Sequence, residues 1–358
     1  MTLTLFSWES IPSTIYGHHA ARPTGKSDLG LLTVTTDQGV SGHAFLGTSS
    51  NPASLDGPGL IRFLKPILLD QDPLDRERLN RARVRAASMR AIGACDIALW
   101  DIAGKRAGLA LSQLLGGARR TEVRAYASLL RYGTPATVAQ ICAERTAAGF
   151  KHIKLHEHSV AAVMAARDGA GPDVAIMNDV NCPWAVAEAL EMERAYRPAR
   201  LFWLEEPVFP PEDHKGLARV RREGQTRISA GENAAGLHDF ADSFEKGAVD
   251  IAQPSVTKIG GITEMRKIIA LAEAHSVELI PHCAYFGPGN LASIHIVASL
   301  PTDTLLENIY ANLEASPFGD AMTAKGGKVS VPQGPGLGVE PDMRIVEKYR
   351  QGAVVTIR

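Results

Sequence analysis

Phe202-Trp203-Leu204-Glu205-Glu206-Pro207 decides the fold, because this short apolar run ends in two carboxylates and a proline. Apolar residues that stop at a turn former predict a buried strand, and proline cannot continue a hydrogen-bonded ladder. Side chains alternate along a strand, so one glutamate can point inward while the other points to the rim. An inward anion in a packed core requires a cation. A solvated strand end with surface acids is the alternative interpretation.

The same pattern occurs on both sides of this strand. Asp179 ends the segment 174–179, and Glu232 follows the segment 227–231. The spacings are 205 − 179 = 26 and 232 − 205 = 27 residues, which fit one strand, one helix and two loops each time. Three acids from three successive strand ends would converge on one point, and three hard oxygen ligands suit Mg²⁺.

From Val123 onward, strand and helix patterns alternate without an internal linker. This alternation predicts an α/β fold with a parallel sheet. Eight strands over about 190 residues suit a closed barrel, in which the chemistry lies at the carboxyl ends of the strands. The predicted strands are 123–130, 152–156, 174–181, 201–205, 227–233, 249–255, 278–283 and 304–310.

The first third of the chain has a different pattern. Residues 29–47 predict a hairpin whose turn is Asp37-Gln38-Gly39. Turn-rich stretches at 15–28 and 48–59 flank this hairpin, and we interpret them as candidate lid loops, with plain surface loops as the alternative. Helical patterns follow at 60–69 and 75–85.

A further helical pattern begins near Ala91. Apolar residues at 94, 97, 98 and 102 form one face, and small residues allow close packing. The segment ends at Gln113-Leu114-Leu115-Gly116-Gly117, where glycine stops the helix.

Composition excludes several classes of function. The chain has 358 residues, enough for a barrel-sized core and a smaller domain. Its net charge is −1 and no dense basic tract occurs, so nothing favours nucleic acid or an anionic membrane. The first residues lack a signal-peptide pattern, and no apolar run is long enough to span a bilayer. Four cysteines without metal-like spacing predict reduced thiols, so we expect a cytoplasmic location.

The helix with its Gln-Leu-Leu-Gly-Gly ending and the three acids at strand ends resemble the enolase superfamily, in its mandelate racemase / muconate lactonizing enzyme-like group and its mandelate racemase-like branch. The resemblance implies a modified TIM barrel at residues 119–317. It also implies an α+β N-terminal capping domain at 1–118, completed by the C-terminal segment 318–358. Asp179, Glu205 and Glu232 would then hold Mg²⁺, with the first glutamate of the Glu-Glu-Pro run as ligand.

Candidate bases lie on an earlier strand. Ile153-Lys154-Leu155-His156 places Lys154 and His156 on one strand face. The family often has two lysines at this spacing, the second of them acting as base. Histidine replaces the second lysine here, and it titrates near neutrality without heavy desolvation. We expect Lys154 to neutralise the substrate carboxylate and His156 to be the base. An exposed strand-end lysine and a core histidine are the alternatives.

On the opposite side, Leu279-Ile280-Pro281-His282-Cys283 ends a strand in a histidine. In the family this histidine pairs with an aspartate, but the matching position holds Ser255. Serine cannot stabilise an imidazolium as a carboxylate does, so His282 is a weaker base or a proton donor to a leaving hydroxyl. Ser255 and Lys258 are candidate substrate-binding residues, with a structural role at helix entry as the alternative for Lys258.

Two further polar residues belong to the candidate site. Glu307 matches the family's last-strand glutamate, which hydrogen-bonds the substrate carboxylate or the enediolate. As a protonated acid it would need burial to raise its pKa, and pairing with a neighbouring cation is the alternative. Asn181 lies two residues past Asp179 and could bond a substrate hydroxyl or serve as a strand-end turn residue.

The resemblance implies a magnesium-dependent lyase that removes the proton α to a carboxylate and eliminates a β-hydroxyl through an enediolate. Its substrate, a small-molecule carboxylate, would be a sugar acid or a small hydroxy acid. A racemase or epimerase using the same enediolate is one alternative, because His156 and His282 could act on both faces. A catalytically idle metal-binding homologue is another, although the complete ligand set argues against it. We also expect a homo-oligomer.

Overall fold

The computed structural model describes residues 2–8, 27–47, 53–81, 87–117, 120–283, 286–311, 313–353 and 355–356. Its strands form two sheets, a small antiparallel one and a large, mainly parallel one. The strands are β1 Thr2–Trp8, β2 Ser27–Thr35, β3 Ser41–Leu46, β4 Glu122–Ser128, β5 His152–Leu155, β6 Ala175–Asp179, β7 Trp203–Glu205, β8 Ile228–Ala230, β9 Ile251–Ala252, β10 Glu278–Leu279, β11 Leu305–Ile309, β12 Lys328–Ser330 and β13 Val355–Thr356.

Helices follow most strands of the large sheet, as the alternating pattern predicts. The α-helices are α1 Ala53–Gly59, α2 Lys65–Leu68, α3 Arg76–Arg81, α4 Met89–Ala107, α5 Leu111–Leu114, α6 Pro135–Ala147, α7 Val160–Ala170, α8 Val186–Tyr196, α9 His214–Glu223, α10 Leu237–Glu245, α11 Ile262–Ala274, α12 Pro288–Ser299 and α13 Met343–Lys348. A π-helical segment spans Leu60–Leu64, and a 3₁₀ turn spans Arg197–Ala199. Within the described chain, no helix is long and apolar enough to cross a membrane.

The large sheet confirms the predicted α/β barrel architecture. Its order is β10-β9-β8-β7-β6-β5-β4-β11, so the last parallel strand lies beside the first. Side chains connect β10 to β11 across the remaining gap. Thr304 Oγ1 donates to the carbonyl of Leu279 at 2.9 Å, and the backbone N of Cys283 donates to Glu307 Oε2 at 2.7 Å. A closed barrel predicts a ladder of backbone hydrogen bonds between β10 and β11, and these two contacts join the strands in its place.

The strands are shorter than the sequence predicts at their carboxyl ends. The segment 174–181 was expected to be extended throughout, but β6 ends at Asp179. Asn181 and Cys182 both have φ of 53°, and Glu206 after β7 has φ of 48°. Left-handed backbone cannot continue a ladder, so each strand turns away just beyond its acid.

The hairpin at residues 29–47 is confirmed as β2 and β3, with Gly39 at φ of 80° in its turn. The N-terminal sheet has the order β13-β1-β2-β3, so the C-terminal tail supplies an edge strand to the capping domain. On its way there the tail also adds β12 antiparallel to β4 of the barrel sheet. The boundaries 1–118, 119–317 and 318–358 stay a prediction.

The prediction of a second candidate lid loop at 48–59 is wrong in part, because residues 53–59 form helix α1. Residues 48–52 and most of the first candidate loop, 15–26, lie outside the described residues. The helical patterns at 60–69 and 75–85 correspond to the segments from Leu60 to Leu68 and to α3.

Helix α4 is the core of the capping domain. The sequence predicts one apolar face, but every residue from 91 to 104 is buried. A helix buried all round must have packing partners on all sides. β3 approaches one side so closely that a Cβ at Gly42 would lie 2.0 Å from the carbonyl oxygen of Ala98. On another side, Trp100 Nε1 donates to Thr263 Oγ1 of α11 at 2.9 Å, which joins α4 to the barrel.

Candidate active site

The three predicted acids lie together at the carboxyl ends of neighbouring strands. Asp179 ends β6 opposite Glu205, which ends β7, and Glu232 follows β8 by two residues. One carboxylate oxygen from each acid lies within 4.8 Å of the other two. Asp179 and Glu205 are fully buried, and Glu232 retains only a small exposed fraction. Three carboxylates at this spacing are a donor set that fits a hard divalent cation such as Mg²⁺.

Glu205 points into the barrel, while Glu206 points to the other side of the strand end. Glu206 was expected at a rim but is buried, and Asn233 Nδ2 donates to its two carboxylate oxygens at 3.0 and 2.8 Å. Burial, with the nearby negative charges of Glu232 and Asp179, raises the pKa of Glu206 to about 8. The surface-acid interpretation of this strand end is therefore wrong.

Lys154 is the cation that the inward acids require. Its Nζ lies 3.0 Å from Glu205 Oε1, 3.2 Å from Asp179 Oδ2 and 3.0 Å from Glu307 Oε1. The side chain is fully buried, so it is not an exposed strand-end lysine. Burial disfavours its charge, but the three carboxylates outweigh burial and hold the pKa of Lys154 well above its usual value.

His156, just past β5, also contacts Asp179. Its Nε2 lies 3.3 Å from Asp179 Oδ2, and its Nδ1 contacts the backbone carbonyl of Leu129. A carbonyl only accepts hydrogen bonds, so Nδ1 carries the proton. At 3.3 Å, the contact of Nε2 with Asp179 Oδ2 is longer than a usual N–H···O hydrogen bond, so it does not fix a proton on this nitrogen. Nε2 is therefore the ring nitrogen that is directed toward the acid cluster and able to exchange a proton.

His282 lies on the opposite side of the cluster and has a different environment. Its Nε2 lies 2.6 Å from Glu232 Oε2, and its Nδ1 lies 2.5 Å from Ser255 Oγ. A carboxylate only accepts, so Nε2 carries a proton, and the serine hydroxyl donates to Nδ1 when the imidazole is neutral. Ser255 is fully buried and acts on His282 directly. The serine hydroxyl thus contacts His282 at the position where the family has an aspartate.

Lys258 and Glu307 complete the polar cluster. Lys258 Nζ lies 3.5 Å from Glu232 Oε1. Burial opposes ionisation of Glu232, but Lys258 and His282 outweigh burial and hold the pKa of Glu232 well below its usual value. Glu307 is buried as well, yet Lys154 and His282 lower its pKa to about 2. Burial therefore does not keep Glu307 protonated, and the geometry matches its alternative role as partner of a cation.

Asn181 lies at the edge of this cluster. Its backbone N donates to Asp179 Oδ1 at 2.9 Å, as in a strand-end turn. Its side chain is half-buried and lies toward the end of β4, where Arg131 Nη2 is 3.5 Å from Asn181 Oδ1. The turn role is observed, and binding of a substrate hydroxyl stays a prediction.

Three residues near the cluster were missed by the sequence analysis. Gln253 Nε2 and Trp203 Nε1 donate to Glu205 Oε2 at 2.9 and 3.0 Å. Arg131 contacts the end of β5 as well as Asn181. Trp203 had a usable signal, because it shares a strand face with Glu205 by the period of two. Gln253 and Arg131 had none, since their contacts join distant strand ends.

Comparison with known families covers most of the chain. Residues 137–345 match the family described as enolase C-terminal domain-like. Residues 9–116 match the N-terminal domain of mandelate racemase / muconate lactonizing enzyme.

Named relatives are similar over about seven-tenths of the chain. The D-galactarolactone cycloisomerase of Agrobacterium fabrum is 34% identical over 71% of this chain and 72% of its own length. The 3,6-anhydro-alpha-L-galactonate cycloisomerase of Streptomyces coelicolor is 36% identical over 72% of both chains. The arabinonate dehydratase of Saccharolobus solfataricus is 33% identical over 71% of this chain and 70% of its own.

Solved structures extend the similarity to nearly the full length. A racemase from Streptomyces coelicolor A3(2) with bound magnesium has a TM-score of 0.86 at 28% identity, covering 98% of both chains. L-Talarate dehydratase from Polaromonas sp. JS666, complexed with Mg and L-glucarate, has a TM-score of 0.81 at 27% identity, covering 99% of both. Family matches, relatives and architecture agree, and this chain belongs to the mandelate racemase / muconate lactonizing enzyme group of the enolase superfamily.

Proposed function

We propose that this protein is a magnesium-dependent hydro-lyase that dehydrates an acid sugar. It would remove the proton α to the substrate carboxylate and eliminate the β-hydroxyl. Relatives named as dehydratases and cycloisomerases of sugar acids support this class of substrate and reaction.

Asp179, Glu205 and Glu232 are the proposed metal ligands, because their oxygens converge within 4.8 Å and are hard donors. When bound there, Mg²⁺ would supply positive charge beside the substrate carboxylate, where negative charge develops as the α-proton leaves. The chain's own cations add to this charge. Lys154 would neutralise the substrate carboxylate, and Lys258 sits beside Glu232. Glu307, on β11, holds Lys154 in place.

The asymmetry of the two histidines carries the choice of reaction. Leu129 fixes the proton of His156 on Nδ1, which leaves Nε2 to accept the α-proton. His282 instead directs a protonated Nε2 toward Glu232, and the Ser255 hydroxyl at Nδ1 can donate to the neutral ring or accept from the imidazolium. One side of the cluster thus offers a base and the other an acid. An acid is what departure of a hydroxyl requires.

In the proposed dehydration the α C–H bond breaks and its proton goes to His156 Nε2. The β C–O bond breaks, and the oxygen leaves as water with the Nε2 proton of the His282 imidazolium, which is left neutral with its remaining proton on Nδ1 beside Ser255 Oγ. The resulting enol tautomerises to a 2-oxo-3-deoxy acid. Substrate and product differ by one water, and no oxidant or reductant is consumed.

The test is a panel of sugar acids with Mg²⁺ in deuterated water, including D-galactonate, D-gluconate and arabinonate. We expect a 2-oxo acid product from at least one substrate, with activity abolished by a chelator and restored by Mg²⁺. His156→Ala should lose both turnover and exchange of the α-proton, because general base catalysis is worth about 10²- to 10⁴-fold. His282→Ala should keep α-proton exchange while losing elimination. Wild-type exchange rates in His156→Ala would refute the assignment of the base.

An isomerase is the second candidate, because two relatives at 34% and 36% identity are cycloisomerases. The same proton removal with a tethered ring oxygen as leaving group opens a ring without loss of water. D-Galactarolactone and 3,6-anhydro-L-galactonate belong in the panel for this reason. An isomeric product with its ring opened would identify a cycloisomerase, and inversion at the α-carbon without ring opening would identify a racemase or epimerase. Dehydration instead lowers the mass by one water.

We further propose that the protein works in the cytoplasm as a homo-oligomer. None of its four cysteines forms a disulfide and all four are buried, as suits a reducing compartment. Leu55 and Leu74 are exposed apolar side chains of the capping domain that an interface would cover. Light scattering of the purified protein tests the assembly, and a monomer at micromolar concentration would contradict it.

A further inference from the structure

Arg131 lies just beyond β4 at the mouth of the barrel, and no step of the proposed reaction uses it. We propose that Arg131 is a positioning residue, which holds His156 and Asn181 in a fixed arrangement beside Asp179. This inference rests on the proposed function, because it gives Arg131 a role in that reaction.

The contacts of Arg131 join two neighbouring strand ends. Its Nε donates to the backbone carbonyl of His156, just past β5. Its Nη2 lies 3.5 Å from Asn181 Oδ1, beyond β6, and 3.1 Å from His158 Nε2. A guanidinium is planar, and its donors point in fixed directions. Contacts through two of its nitrogens therefore set the placement of one strand end relative to the other.

His156 is held twice by the same short segment of chain. Leu129 contacts its ring at Nδ1, and Arg131 contacts its backbone carbonyl. The ring and the backbone of the proposed base are thus both fixed from the end of β4. Its Nε2 remains 3.3 Å from Asp179 Oδ2. Proton transfer depends steeply on such placement.

The contact with Asn181 determines what that side chain offers to substrate. Arg131 faces the amide oxygen of Asn181, so the amide Nδ2 points away from Arg131. The backbone of the same residue donates to Asp179 Oδ1, which keeps the side chain next to the acid cluster. We infer that Asn181 donates a hydrogen bond to a substrate oxygen.

Arg131→Met tests this, because it removes the donors and retains most of the side-chain length. With the acid sugar that gives the highest turnover in the panel, kcat and the rate of α-proton exchange should fall by about 10- to 100-fold. Arg131→Lys should recover only part of the loss, since one ammonium cannot reach both strand ends. Rates within about twofold of wild type in Arg131→Met would overturn the proposal.

Arg167→Met is the matched control. Arg167 is also half-buried, and it donates to the backbone carbonyls of Val174, Gly171 and Ala199 at the opposite end of β6. This variant should lose thermal stability while its kcat stays within about twofold of wild type. Equal losses of kcat in both variants would show that Arg131 is only structural.

A double-mutant cycle tests the link to Asn181. If Arg131 acts through this residue, the combined loss in kcat/KM for Arg131→Met with Asn181→Leu should be at least about threefold smaller than the product of the single losses. Fully multiplicative losses would contradict the coupling.

Crystal structures of the Mg²⁺-loaded wild type and Arg131→Met give a readout that needs no turnover. We expect the Asn181 amide and the His156 ring to change orientation in the variant, and unchanged orientations would overturn the proposal. If the wild type turns over nothing in the panel, the proposed function fails. These two structures still decide whether Arg131 positions the two residues.

Discussion

Lys154 offsets the repulsion among the buried carboxylates of the site. Its Nζ lies within 3.2 Å of Asp179, Glu205 and Glu307. Removing one partner of a buried charge cluster costs about 3–5 kcal/mol, because the remaining charges stay buried without compensation. Lys154 is therefore a folding residue as well as a candidate for binding the substrate carboxylate. A Lys154 variant can therefore lose activity because it unfolds, so its folding has to be measured together with its activity.

Gln253 is expected to set metal affinity without binding the metal. Its Nε2 donates to Glu205 Oε2 at 2.9 Å, and the side chain is fully buried. Groups that orient a metal ligand typically contribute about 10- to 100-fold in affinity. Gln253→Leu should therefore weaken Mg²⁺ binding by that factor in calorimetric titration. Gln140→Leu, which removes an exposed glutamine hydrogen bond on α6, should bind Mg²⁺ like wild type. Equal affinities in the two variants would contradict this role.

The acids and histidines of the site were predictable because each ends a short apolar run, and the period of a strand fixes which way a side chain points. Gln253 and Arg131 were not predictable in this way. Gln253 donates a hydrogen bond to Glu205, 48 positions away in the sequence. Arg131 contacts His156 and Asn181, which follow two neighbouring strands and lie 25 and 50 positions away. Such contacts arise only when parallel strands come into register, and nothing local in the sequence specifies them.

At the scale of elements, the order of strands and helices followed from alternating patterns, whereas their ends did not. β7 to β10 have only two or three residues each, and the backbone takes a positive φ just after β7 and β8, at Glu206 and Gly231. The sequence pattern also predicts only one buried face for α4, whereas residues 91–104 are all buried. Its polar residue Asp96 lies in the interface with the barrel, where Thr263 N donates to Asp96 Oδ2 at 2.9 Å.

Asp96 should make the docking of α4 on α11 depend on pH. Burial raises its pKa to about 6, although hydrogen bonds from Thr263 and Asn80 work in the other direction. The folded state then binds a proton more tightly than the unfolded state, so stability from this group is complete below about pH 4 and is lost as pH rises through 6. A shift of this size corresponds to about 3 kcal/mol.

Asp96→Asn tests this dependence, because the amide cannot ionise. The stability of wild type relative to the variant should fall between pH 4 and pH 7, as measured by urea unfolding midpoints at each pH. Asp56→Asn is a control, since Asp56 is another buried capping-domain acid and is paired with Arg90. A constant difference between wild type and Asp96→Asn across this range would refute the prediction.

At the scale of the whole molecule, the C-terminal tail connects the two sheets. It pairs with β4 of the barrel through β12 and with β1 of the capping sheet through β13. Between these strands it passes over α4, where the backbone N of Leu337 donates to Asp101 Oδ1 at 2.9 Å. The other oxygen of Asp101 accepts from the backbone N of His43 at 3.2 Å. One buried carboxylate thus ties the hairpin, α4 and the tail together.

Asp101→Ala should release the tail from α4. The substitution leaves the two buried backbone donors of His43 and Leu337 without their acceptor and removes a partner of Lys105, at 3.0 Å. Buried donors without partners cost about 1–3 kcal/mol each, so we expect a loss of about 2–5 kcal/mol in unfolding free energy. Hydrogen exchange should accelerate first in residues 331–346. Glu340→Gln, which changes an exposed partner of the same lysine, should cost no more than about 1 kcal/mol. Exchange in the tail of Asp101→Ala no faster than in Glu340→Gln would show that α13 and β12 hold the tail without this carboxylate.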